Sequence, residues 1–185
     1  MNRRLIVEIP LAALMLALTA GATTLVRMNL DELAKAAQIV ARVRCVSSEA
    51  RWDRGEIWTF TTFEALETLK GSVPRQITVR LIGGRVSHLK STVDGVPRFA
   101  PGEEVYLFLE PTSLGELSVT SWVQGTFRVR RDPASRQEFV TQDTGSVTVF
   151  DPVTRQFKPG GARNLPVDQF RRLVLLAVER QRAVR

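Results

Sequence analysis

Apolar side chains recur at every second position in several short segments, and this period constrains the fold more than any other feature. In residues 39–46 the apolar positions lie opposite Arg42 and Arg44, and residues 77–81 repeat the alternation. Successive side chains of a β-strand point to opposite faces, so a period of two predicts strands with one buried face. Residues 105–109 are apolar throughout, which predicts a central strand covered on both faces.

Other segments extend this pattern into a mainly β fold. Residues 57–69 are rich in threonine and aromatic residues, but their apolar phase changes, which predicts a bulge or a strong bend near Thr61 and Thr62. Further strands are expected within residues 117–157. So many short strands predict an antiparallel barrel or sandwich.

Two segments show helical spacing instead. Asn29 followed by Glu32 resembles a capping box and predicts a short N-terminal helix over residues 30–37. Residues 166–182 carry apolar side chains at i, i+3 and i+4, which predicts a C-terminal amphipathic helix.

The first 22 residues differ from the rest, with two arginines, an apolar centre and a small-residue end. This pattern predicts a secretory signal peptide cleaved after Ala22, so that residues 23–185 form one exported domain, periplasmic or extracellular. An uncleaved membrane anchor is the alternative, because the uncharged run of residues 9–26 approaches the length of a bilayer span.

The chain contains one cysteine, Cys45, and one histidine, His88. An intramolecular disulfide is therefore impossible, and Cys45, in phase with the apolar positions of its strand, is predicted in the core. Two such residues are too few for a typical zinc site, so no metal and no cofactor are predicted. For His88, in a polar loop, an exposed structural role is favoured over that of a general base.

Other catalytic patterns are weak. Glu103 and Glu104 could form a carboxylate pair, but adjacent strand residues point to opposite faces, so we interpret them as the polar start of a strand. Gly83-Gly84 could cradle a phosphate, but it follows a strand and opens no helix, which favours a strand end. A hydrolase with a Ser-His-Asp site assembled from distant loops is the enzymatic alternative.

The chain is basic, with a formal net charge of +7 and a pI of about 10.6. Trp52, Trp58 and Phe60 could stack on bases, which raises nucleic acid as a ligand. Predicted export and the scattering of basic residues among acidic ones argue against nucleic acid, and strand aromatics more often belong to the core. Positive charge outside the cytoplasm also suits acidic polysaccharides.

The longest interruption between strong strands is the loop of residues 85–102. Long loops on a rigid β-scaffold commonly carry function, so this loop is the predicted binding surface. Its candidate binding residues are Arg85, His88, Lys90 and Arg98. The alternative is a loop that only connects strands and covers one end of the fold.

Five short motifs occur in an order that resembles a group of exported, mostly uncharacterised bacterial proteins. The motifs lie at residues 37–43, 59–63, 69–71, 83–84 and 99–109. More distantly, this order is similar to netrin-like modules, which include the tissue inhibitors of metalloproteinases. The resemblance implies an OB-type barrel of five strands over about residues 30–111, with extra strands and a helix, and the habit of binding another protein.

The inhibitors coordinate the protease zinc through an N-terminal cysteine, whereas the expected mature chain starts at Thr23 and its cysteine lies inside the first strand. No inhibitory residue is carried over. The sequence therefore favours an exported, non-catalytic binding module for a protein partner, such as an extracellular enzyme, or for an envelope component. The alternative is a polyanion binder, with envelope polysaccharide or nucleic acid as ligand; membrane contact is expected only through an uncleaved signal segment.

Overall fold

The computed structural model describes residues 25–183 and confirms a mainly β chain with both predicted helices, α1 (Leu30–Ala36) and α2 (Val167–Ala183). The first strands are β1 (Leu25–Val26), β2 (Ile39–Asp53), β3 (Glu56–Lys70), β4 (Gln76–Ile82), β5 (Gly84–Val86), β6 (Leu89–Ser91) and β7 (Glu104–Pro111). The later strands are β8 (Leu117–Val119), β9 (Thr126–Arg131), β10 (Glu138–Gln142), β11 (Thr148–Asp151), β12 (Gln156–Pro159) and β13 (Leu165–Pro166).

The main sheet has eight strands in the order β13-β10-β9-β7-β2-β3-β4-β8. Because β8 also pairs with β7, the pairings of β2, β3, β4, β8 and β7 close into a cycle of five strands. Within this cycle the β4–β8 pair is parallel and the other pairs are antiparallel. A second sheet contains β1, β11 and β12, and β5 pairs with β6 as a separate hairpin.

β7 lies at the centre of the main sheet and divides the hydrophobic core into two clusters. Val105, Leu107 and Leu109 pack with residues of β2, β3, β4 and β8. Tyr106 and Phe108 pack on the other side against α1 and α2. All five side chains are fully buried, so the prediction of a strand covered on both faces is confirmed.

α1 begins with the predicted capping box. Asn29 Oδ1 accepts a hydrogen bond from the backbone N–H of Glu32 at 2.9 Å, and the Glu32 carboxylate accepts one from the backbone N–H of Asn29 at 2.7 Å. At the other end, Lys70 Nζ donates to the carbonyl oxygens of Ala34 and Ala37, each at 2.6 Å. Both ends of this short helix therefore have partners for their open backbone groups.

The start of the described chain is held by residues far along the sequence. β1 pairs in parallel with β11, and Arg27 forms an ion pair with Asp151 at 3.0 Å. The Gln124 side chain hydrogen-bonds the backbone on both sides of Arg27, at 2.8 Å in each case. The predicted signal peptide, residues 1–22, lies outside the described residues. No helix within residues 25–183 is both long and apolar enough to span a bilayer.

β2 and β3 are each 15 residues long, and together they form an arm, residues 47–53 and 56–62, that extends past the end of β7. The sequence pattern placed the end of this first strand at residue 46. A register shift occurs at that point in β2, between the pairs Cys45–Phe63 and Ser47–Thr62. The irregularity opposite Thr62 therefore lies in β2, and the predicted bulge within β3 near Thr61 and Thr62 is wrong.

The phase change in β3 has a different origin. Buried positions alternate without a break from Ile57 to Phe63, and the two between them are threonines. Trp58 and Phe60 lie half-buried on the outer face, where the Arg80 guanidinium is 3.9 Å from the centre of the Trp58 ring. The prediction that these aromatic side chains belong to the core is therefore wrong, because an arginine covers them.

Three other predictions can be compared with the structure. Cys45 is 2% exposed, so its place in the core is confirmed. Residues 85–102 were expected to form a loop, but they contain most of the β5–β6 hairpin. Further strands do occur within residues 117–157, but the first of them, β8, ends at Val119, and a 3₁₀-helix occupies Trp122–Gly125.

Candidate functional site

The β5–β6 hairpin packs against the inner face of the arm, and Gly84 makes this close approach possible. Gly84 has a φ of +146°, which side chains other than glycine rarely adopt. A Cβ atom at this position would lie 2.6 Å from the Cβ of Ala50 and 2.7 Å from Oγ1 of Thr59. The glycine pair at residues 83–84 therefore allows the hairpin to pack against the arm. The second glycine of the pair is the first residue of β5.

Arg98 fixes the other side of the hairpin. Its Nη1 donates to Oγ1 of Thr59 at 2.9 Å, and its Nη2 donates to the carbonyl oxygen of Ser91 at 3.5 Å. The Thr59 hydroxyl donates in turn to the carbonyl oxygen of Gly83 at 2.6 Å. Because Thr59 lies on β3 and Ser91 on β6, the guanidinium links the arm to the hairpin.

These elements line an open surface pocket of about 460 Å³ that we call the cationic pocket. The residues that carry its charge are Arg85, Lys90 and Arg98. Hydroxyl groups from both strands of the arm, Ser48 and Thr59, also line it, together with further polar residues of the hairpin. The lining contains no aspartate or glutamate.

The cations of the pocket lack counter-charges within the described part of the chain. Neither Arg85, Lys90 nor Arg98 forms an ion pair with a carboxylate of residues 25–183. Desolvation through partial burial lowers the pKa of Arg98, and no neighbouring acid raises it. The pocket therefore concentrates positive charge that an external anion can neutralise.

The structure brings together three of the four residues proposed as a binding surface. Arg85, Lys90 and Arg98 line the cationic pocket, whereas His88 lies exposed in the turn between β5 and β6, outside the lining. The hairpin explains this separation, because Arg85 and Lys90 are paired neighbours in its ladder and His88 lies beyond the last pair.

The sequence pattern missed the half of the pocket that comes from the arm. Ser48 and Ala50 were not candidates, because small and polar residues gave no apolar alternation beyond residue 46, and Thr59 was assigned to a strand without a binding role. A weak signal was present: Ser48 and Ala50 alternate with Glu49 and continue the strand period.

Trp52 lies outside the lining of the pocket, on the same strand of the arm. It follows Ala50 by two residues in β2, so its side chain emerges on the same strand face, with Cα atoms about 7 Å apart. The Trp52 side chain is 52% exposed. The indole therefore lies on the strand face that also carries Ser48 and Ala50 of the pocket lining.

A second charged surface, which we call the balanced groove, lies between β2, β10 and the start of α2 and has a volume of about 730 Å³. Arg42 bridges Glu104 at 2.5 Å and Glu138 at 2.8 Å. Arg44 pairs with Glu104, and Arg131 pairs with Glu138, each at 2.7 Å. The hydrogen bond from Arg42, and after it the one from Arg131, lowers the pKa of Glu138 to about 2. Four of the five arginines that line this groove, Arg42, Arg44, Arg131 and Arg171, pair with the protein's own carboxylates.

On the outer face of the arm, arginines of the same chain cover the aromatic rings. Arg80, 5% exposed, pairs with Asp53 at 2.6 Å and with Glu116 at 2.7 Å while it covers Trp58. Arg51 covers Phe60, with its guanidinium 3.9 Å from the ring centre. The two rings therefore offer little free surface for stacking on a base.

The two glutamates considered for catalysis form ion pairs with arginines. Glu103 pairs with Arg128 at 3.0 Å, and Glu104 belongs to the balanced groove. Within residues 25–183 no cluster of three or more histidine, cysteine or acidic side chains is arranged to hold a metal ion. No serine or carboxylate in that part of the chain hydrogen-bonds His88, which is exposed.

No model of a known protein family matches the chain, and no curated protein matches it either.

Proposed function

We propose that the chain is an exported, non-catalytic binding module that binds an anionic polymer through the cationic pocket. One observation carries this proposal: Arg85, Lys90 and Arg98 share a cavity whose lining holds no carboxylate. Arginine and lysine form strong charge-assisted hydrogen bonds with carboxylate, sulfate and phosphate groups. Clustered cations without partners repel each other, so an anionic ligand is the natural occupant.

We favour a polyanion over a protein partner as the ligand. A protein partner, such as the extracellular enzyme considered from the sequence, would have to insert acidic side chains into the pocket. A polymer with regularly spaced charges can engage several cations at once. Export, which rests on the predicted signal peptide, would bring the domain to acidic polymers of the envelope.

The scaffold proposed for this site is an OB-type barrel. The cycle of β2, β3, β4, β8 and β7 supports the proposal, because OB folds are five-stranded Greek-key barrels. The distant similarity to netrin-like modules supports the same architecture. In this proposal α1, α2 and the strands after β8 are additions that cover one side of the barrel.

Binding to an immobilised sulfated polysaccharide, measured at several salt concentrations, tests the proposal. The parent protein should bind with an affinity that falls steeply with salt, because bound polyanions release counterions. The triple variant Arg85→Gln, Lys90→Gln and Arg98→Gln should bind at least about tenfold more weakly, since each lost charged hydrogen bond costs about 1.5 kcal/mol or more.

A matched control removes the same charge elsewhere. Arg155, Arg172 and Arg182 are exposed and lie outside the cationic pocket, so replacing all three by glutamine gives the same net charge. This control should bind within about threefold of the parent, because only the diffuse attraction changes. Equal losses in the two triple variants would reject the pocket as the site, and tighter binding to an acidic protein than to any polysaccharide would favour the protein-partner class.

A further inference from the structure

We propose that the ligand of the cationic pocket is an acidic polysaccharide, and that Trp52 is the platform on which one of its sugar rings stacks. This inference rests on the proposed function and adds the chemical class of the polymer. In this arrangement the acidic substituent of the sugar enters the pocket, while the apolar face of the ring lies against the indole.

The placement of Trp52 is the first argument. The chain has three tryptophans, and two of them have partners: Trp58 is covered by Arg80, and Trp122 packs against the core. Trp52 is 52% exposed. It lies on the strand face of Ala50, which lines the pocket, so a ligand that reaches the pocket along the arm meets the indole.

The hydrogen-bonding groups of the pocket are the second argument. Ser48, Ser91 and Thr92 place hydroxyl groups among the cations. Hydroxyls both donate and accept hydrogen bonds, which matches the many hydroxyl groups of a sugar. A pocket for a simple inorganic anion would need donors alone.

The number of free aromatic rings separates sugar from single-stranded nucleic acid. Proteins that bind single strands stack successive bases on several aromatic side chains. On the arm, Arg80 and Arg51 already cover Trp58 and Phe60, which leaves Trp52 as its one exposed aromatic ring. A single platform beside several cations suits one sugar ring and its acidic group.

Three probes of similar length and charge test the inference: an oligogalacturonate, a polyglutamate peptide and an oligothymidylate. Binding to the full secreted protein is measured by calorimetry and by tryptophan fluorescence. The emission of a Trp52→Phe variant, subtracted from that of the parent protein, gives the signal of Trp52. The oligogalacturonate should bind most tightly and should shift the Trp52 emission, because the sugar ring removes the indole from water.

Substitution of Trp52 gives the decisive comparison. Trp52→Ala should weaken oligogalacturonate binding about tenfold, and Trp52→Phe should recover part of the loss, because stacking energy follows the aromatic surface. Polyglutamate has no ring to stack, so its affinity should stay within about twofold. Phe157→Ala, a change at an aromatic residue 60% exposed on β12, serves as the control and should leave both affinities unchanged.

The outcomes separate the two proposals. Equal losses for oligogalacturonate and polyglutamate in Trp52→Ala, or none for either, would overturn the stacking role while the anion site stands. Tightest binding of the oligothymidylate would overturn the polysaccharide class. If none of the three probes binds, or if the triple variant of the pocket binds them as the parent does, the proposed function itself fails.

Discussion

The cationic pocket and the balanced groove are both built around arginines, yet these arginines have opposite surroundings. In the groove, Arg42 lies between Glu104 and Glu138, and other arginines complete the pairs on both carboxylates. In the pocket, Arg98 donates to a hydroxyl group and to a backbone carbonyl, and no acid lines the cavity beside Arg85 or Arg98. The groove is the larger cavity, at about 730 Å³ against 460 Å³.

The difference shows that cavity size and arginine content are poor guides to a binding site here. Charges that are already paired stabilise the fold and offer little to a ligand, because a ligand would have to displace an existing partner. The unpaired charges of Arg85 and Lys90 contribute little to the fold but are available to a ligand. Substitutions should therefore affect stability in the groove and binding in the pocket.

The largest effect is expected from Arg42→Met, which keeps much of the aliphatic stem and removes the charge between two carboxylates. Glu104 and Glu138 would then face each other across the groove with one cation fewer. We expect the free energy of unfolding to fall by about 2 to 3 kcal/mol, since partly buried charges lose their partner. Urea denaturation measures this change, and Arg85→Met is the control, expected to stay within about 0.5 kcal/mol. Similar losses in the two variants would contradict the comparison.

Gly84→Ala should be next in size, because it breaks the geometry of the pocket rather than its charge. The new Cβ would clash with Ala50, and the φ of +146° is unfavourable for alanine. We expect a loss of about 2 kcal/mol and weaker polyanion binding. Gly115→Ala is the control: Gly115 has a φ of +79° with open space around it, so only about 1 kcal/mol should be lost, with binding retained. Intact binding in Gly84→Ala would show that the hairpin need not touch the arm.

Acid should destabilise the groove and leave the pocket unaffected. The folded-state pKa of Glu138, about 2, lies below the ordinary value of 4.5. The stabilisation from its ion pairs is therefore fully present above pH 4.5 and disappears as the pH falls towards 2. Melting temperatures measured over this interval should fall less steeply in Glu138→Gln than in the parent. Arg98→Gln should keep the slope of the parent, and a flattened profile in that variant would assign acid sensitivity to the pocket as well.

The smallest effect concerns the repulsion among the cations of the pocket. The double variant Arg85→Gln and Lys90→Gln should unfold at the same free energy as the parent or up to about 0.5 kcal/mol higher, because exposed like charges repel weakly. The difference should vanish at high salt, where screening removes the repulsion. A loss above about 1 kcal/mol would mean that these side chains hold the hairpin in place.

The sequence predicts the parts of the fold in which apolar residues alternate and a cap residue precedes a helix. It identifies β7 and both helices, and it selects Arg85, Lys90 and Arg98 because they lie in one long segment between two predicted strands. These predictions depend on neighbours close in sequence. The order of local segments is therefore readable without knowledge of tertiary contacts.

The features that the sequence pattern missed depend on distant contacts. Thr59 takes an inward position and Trp58 an outward one because Arg80, on the next strand, covers the indole. The balanced groove forms from residues that are 62 and 96 positions apart, as in the bonds from Arg42 to Glu104 and Glu138. Tertiary contacts therefore determine which of the many arginines form an ion pair with a carboxylate.

The attachment of β1 to β11 has a consequence for how the domain reaches its native state. Arg27 and Asp151 are separated by 124 positions, so β1, the first strand that the structure describes, has no strand partner until most of the sequence exists. Closing so long a loop late in the reaction predicts slow folding, since rates fall as contacts become less local. In a polypeptide that emerges with its N-terminus first, β1 therefore stays without its strand partner until β11 has been made.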